Sequence, residues 1–181
     1  MHTMTGNDPG KPFGPDGLND ELWDRLRQII SSANRGDADA HALAILRWPE
    51  EVSLAGQQHA GAYLLYLMYR KVKLTLGRAP TPDDLRELTV SAYPRFREIL
   101  RADEVQLEDT FRRAFELPLL GARLTPGEFF VFSSVALGTL LVSPADELDA
   151  MRPGLASWLH LNRDKFRAEG LLDDLPGEQG P

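Results

Sequence analysis

His59, Tyr63, Tyr66 and Arg70 recur at spacings of four, three and four residues, so on a helix they share one face. Gln58 and Tyr69 flank them. The stripe offers an imidazole, two phenols and a guanidinium beside apolar walls. That combination suits a pocket for a small apolar ligand, which the tyrosine hydroxyls, His59 and Gln58 would orient. The structural alternative is an amphipathic core in which each polar tip bonds to backbone or water.

Other chemistry has less to stand on. Asp37, Asp39 and His41 cluster across an expected helix start, and His160 and Asp164 are four residues apart. Neither is a Glu-x-x-His or His-Glu-x-x-His pattern, so the common helical di-iron and zinc-protease sites are absent and no metal is expected. Ser133 and Ser134 lie in an apolar stretch with no histidine nearby in sequence. No Gly-x-Ser-x-Gly elbow, P-loop or dinucleotide fingerprint occurs, so no catalytic residue and no cofactor is assigned.

A second candidate is electrostatic. The chain carries a net charge of −7, which argues against broad binding to nucleic acid or anionic membrane. Residues 70–101 run the other way, with eight basic and four acidic side chains. Arg70, Lys71, Lys73, Arg95, Arg97 and Arg101 could form a docking patch for an acidic protein segment or a nucleic-acid backbone. The structural alternative has Arg95, Arg97 and Arg101 paired with Glu104, Glu108 and Asp109 of the next helix.

These residues need elements to hold them. Val52–Leu76 has no formal charge from Val52 to Tyr69 and is apolar all round from Ala60 to Tyr69. Such a helix is normally buried. At 1.5 Å per residue it would be about 37 Å long, the diameter of a small domain. Pro126–Val142 is a second nearly all-apolar helix, opened by the capping box Thr125 to Glu128. These two should pack together, with Ala60 and Gly61 permitting close approach.

Around them the periodicity predicts helices from Asn19 to Asn34, Asp39 to Trp48, Thr81 through the 80s and 90s, and Asp103 to Glu116. Two more are expected over about 144–151 and 153–169. Asn19 and Thr81 are caps. Ala42, Ile45 and Leu46, with Trp48 as a further candidate, should face inward on the second helix, which Pro49 should end. Pro94 should either kink or break the fourth. The fold expected is all-α, a single-domain bundle of seven to eight helices over 18–170. Residues 1–17 read as a disordered leader and 171–181 as a disordered tail.

There is no cysteine, which removes disulfides and thiolate chemistry and suits a cytoplasmic setting. No stretch reads as a membrane span. Three functions remain. The first is a protein–protein interaction or homo-oligomeric module, motivated by the two very apolar helices and the segregated charge. The second is a small apolar-ligand binder beside His59, Tyr63 and Tyr66. The third is an enzyme built from scattered His, Asp and Arg residues.

Overall fold

A computed structural model of the chain describes residues 18–168, and the expected leader and tail lie outside these. Seven long helices and one short one follow in order. They are α1 (Asp20–Asn34), α2 (Ala38–Glu51), α3 (Leu54–Leu76), α4 (Pro82–Ile99), α5 (Glu104–Ala114), α6 (Pro126–Leu140), α7 (Pro144–Leu161) and α8 (Arg163–Ala168). The fold is all-α.

Helix starts follow local chemistry. Asn19, Asp37, Ser53, Thr81, Asp103 and Thr125 each accept a backbone N–H of the helix they open. Thr81, Asp103 and Thr125 complete capping boxes with Asp84, Gln106 and Glu128. Ser143 departs from this pattern, since its side chain makes no cap bond. Glu147 Oε1 accepts the N–H groups of Val142 and Ser143 instead. Gly77 closes α3 in the left-handed conformation, at φ 69°.

Pro49 and Pro153 do not act as the sequence suggests, and Pro94 does not take the second of its two expected courses, a break. Pro49 lies inside α2, Pro94 inside a continuous α4, and Pro153 inside α7, which is one helix rather than two. Each is flanked by buried residues: Trp48 and Val52, Ala92 and Phe96, Met151 and Leu155. Packing on both sides holds the helix across the lost hydrogen bond.

α3 packs against α1, α5, α6 and α7. Its core positions Ala62, Leu64, Leu67, Met68 and Val72 are fully buried. α3 and α6 pack together as expected. The tightest backbone approach among the described glycines, however, is Gly138 of α6 against α1. A Cβ there would sit 2.7 Å from Ala33 Cβ and 2.8 Å from the Asn34 backbone nitrogen.

The C-terminal ends of α1 and α6 therefore lie side by side. Asn34 Nδ2 donates to the carbonyls of Gly138 and Leu141, at 3.0 and 2.6 Å. Arg95 bridges both ends, donating to Thr139 O at 3.1 Å and Asn34 O at 2.7 Å. This shared cap stops α6 at Leu140, and Val142, expected in the core helix, is 86% exposed.

α2 is rolled relative to expectation. Trp48 packs at a tilt against Phe130 of α6, with ring centroids 4.5 Å apart. His41 reaches Ser134 of α6. Leu46 lies about 200° round the helix from Trp48, so with these two turned inward Leu46 and Ala42 face outward, and Leu46 is 75% exposed.

Candidate functional site

The stripe on α3 is largely core. His59, Tyr63 and Tyr66 are buried, and the His59 and Tyr63 rings stack at 6.5 Å. The Tyr63 hydroxyl accepts the backbone N–H of Asn19 at 2.8 Å, tying the start of α1 to α3. Tyr66 packs on Trp158 of α7 at 5.4 Å, and its hydroxyl lies where a Cβ on Gly154 would stand. Burial raises its pKa, partly opposed by the nearby Arg70 charge. Arg70 itself is exposed. The side chain of Gln58 lies outside those described.

The basic segment is divided in the same way. Lys71 pairs with Glu147 of α7 at 2.5 Å. Burial alone would raise the Glu147 pKa, but the Lys71 ammonium and the Ser143 and Val142 N–H groups hold it below its ordinary value. Lys73 donates to the Tyr69 hydroxyl and lies over that ring. Arg95 caps α1 and α6. Arg97 and Arg101 are exposed and make no ion pair among the described residues. Of the acids proposed as their partners, Glu104 is exposed, Glu108 is used by Arg112 and Asp109 by backbone.

Of the metal candidates, Asp37 accepts the Ala40 N–H as the α2 cap while His41 turns into the core. His160 and Asp164 are exposed on α7 and α8. Among the described residues no three His, Asp or Glu side chains group to hold an ion. Ser134 does have a histidine partner, 93 residues away in sequence: His41 Nε2 is 3.0 Å from its hydroxyl. Both are buried, and the hydroxyl donates to Val131 O at 2.8 Å, so the pair is a core contact rather than a nucleophile and its base.

A cleft of about 430 Å³ opens on a neighbouring face of α3. Its walls are Leu65 of α3, Arg113 and Ala114 of α5, Trp158 of α7 and Lys165 of α8, with Pro126 at the start of α6. The remaining wall is the connection between α5 and α6, which contributes Glu116, Leu117, Leu119 and Arg123.

That connection is held from α5. Asp109, itself buried, accepts the N–H groups of Leu120 and Gly121 at 2.7 and 2.9 Å. Arg112 pairs with Glu108 and donates to Pro118 O at 3.1 Å. α5 ends in a Schellman turn, with Leu117 N–H on Arg112 O and Glu116 N–H on Arg113 O. Its left-handed position is filled by Glu116, at φ 56°, where glycine is usual. The Glu116 carboxylate pairs with Lys165 across the cleft. Arg113 lies over the Phe129 ring, 5.0 Å from its centroid.

The one legible sign of this wall was three leucines, Leu117, Leu119 and Leu120, in a stretch broken by Pro118 and Gly121. Apolar residues in a connection imply something for them to cover. No protein-family model, curated protein or solved structure matches the chain.

Proposed function

We propose that the chain is a non-enzymatic helical binding protein that takes a small apolar-bodied ligand in the cleft between α3, α5, α7 and the α5–α6 connection. The observation that carries this reading is the cleft itself, about 430 Å³, within the range of small-molecule sites. Its lining combines six apolar residues with four charged ones. Glu116 on its wall holds a backbone conformation that costs roughly 1–2 kcal/mol for a side chain with a Cβ, and such strain concentrates at binding sites.

An interaction or homo-oligomeric module is the second reading. It is favoured by Leu43 and Leu46, which are 47% and 75% exposed on one face of α2. Native mass spectrometry of freshly purified, tag-free protein separates the two. A retained small-molecule mass on the monomer is expected for the ligand binder. A defined oligomer of bare chains would replace that reading with the second.

A further inference from the structure

We infer that the ligand of this cleft is an organic anion, an apolar body ending in an oxyanion headgroup, and that Arg123 is the residue that reads its charge. The inference rests on the reading of the cleft as a ligand site.

The chain is acidic overall, and residues 102–181 hold only seven basic side chains against fourteen acidic ones. Three of those seven, Arg113, Arg123 and Lys165, line the one cleft, against a single carboxylate, Glu116. Glu116 is engaged by Lys165. Arg123 is exposed and makes no ion pair among the described residues. Its guanidinium is a planar fork that matches a carboxylate or phosphate with two parallel hydrogen bonds.

The lining also carries Leu65, Leu117 and Trp158, which suit a hydrocarbon or aromatic body and offer no charge. A neutral apolar molecule would leave the Arg123 guanidinium without a counter-charge. A compact inorganic anion would leave the apolar wall wet. An amphiphilic anion satisfies both. The locally positive rim in a negative molecule also draws an anion toward this mouth.

The test is calorimetric titration of the full chain with decanoate and with decanol at one ionic strength, repeated on Arg123→Glu. A cleft-filling variant, Leu65→Trp, serves as control. A charge-assisted hydrogen bond accounts for about tenfold or more in affinity. Decanoate should therefore bind at least about tenfold tighter than decanol, and in Arg123→Glu that ratio should fall to about one or below. Leu65→Trp should weaken both. Equal binding of the two probes, or an Arg123→Glu protein that still prefers decanoate, overturns the anion inference and leaves the cleft as an apolar site. Binding of neither probe, or binding untouched by Leu65→Trp, overturns the inference together with the cleft reading.

Discussion

At the scale of single residues, His41 shows how a core position sets a pH response. Because the Ser134 hydroxyl gives its proton to Val131 O, His41 Nε2 must carry the hydrogen that joins them. Burial lowers the His41 pKa from 6.5 to about 4. The folded state thus resists a proton that the unfolded chain takes up below its ordinary pKa. Stability is full above about pH 6.5 and falls as pH drops toward about 4, by up to about 3 kcal/mol for this group. Urea unfolding of the native protein and His41→Asn across that window checks this. The native protein should have the steeper decline, and equal slopes would show that His41 titrates normally.

Glu116 is the other residue with a clear test. Replacing it with glycine relieves the left-handed backbone, about 1 kcal/mol, against an exposed ion pair worth about 0–1 kcal/mol. Glu116→Gly should raise the unfolding midpoint and Glu116→Ala should lower it, since alanine keeps the strain and loses the pair. Neither residue could be singled out from sequence. His41 looked like a possible metal ligand beside Asp37 and Asp39, and a left-handed glutamate leaves no mark in composition.

At the scale of elements, the junction of α1 and α6 decides more than either helix alone. Two helix C-termini lie together there, each presenting free carbonyls and the negative end of its dipole. Asn34 and Arg95 supply the donors. The approach is close enough that only glycine fits at position 138. Gly138→Ala should destabilise by about 1–3 kcal/mol despite its better helix propensity. Chemical denaturation reads this directly, and an unchanged midpoint would mean that α1 moves aside without cost. The caps of α1, α4 and α6 were legible because each is written in three or four adjacent residues, such as Thr81 to Asp84. The role of Arg95 was not. Its partners are 44 and 61 residues away in sequence, and a run of basic residues reads the same whether it caps carbonyls or meets solvent.

At the scale of the whole molecule, two surfaces compete for a functional role. The cleft is a concave site lined by five helices and an anchored connection. The α2 face is open, with Leu43 and Leu46 between Asp39 and Glu50 on its exposed side. If that face joins copies of the chain, Leu46→Lys should shift the mass measured by sedimentation toward monomer with little change in thermal stability, because a side chain 75% exposed contributes little to the monomer core. A mass unaffected by Leu46→Lys removes this face from any oligomer.

The sequence by itself determined the helical class, the positions of most helix starts and the identity of α3 and α6 as core helices. Those properties depend on periodicity and on neighbouring residues, which any reader of the chain can see. Only the tertiary structure decided which way α2 turns, because Ala42, Ile45 and Leu46 form as apolar a stripe as His41, Ala44 and Trp48, and the choice depends on Phe130 and Ser134. The same holds for the three prolines, which packing on either side keeps inside helices. It holds for the candidate site as well. Leu65, Arg123, Trp158 and Lys165 belong to separate segments, and no spacing along the chain relates residues that meet only when α3, α7, α8 and the α5–α6 connection close around one cleft.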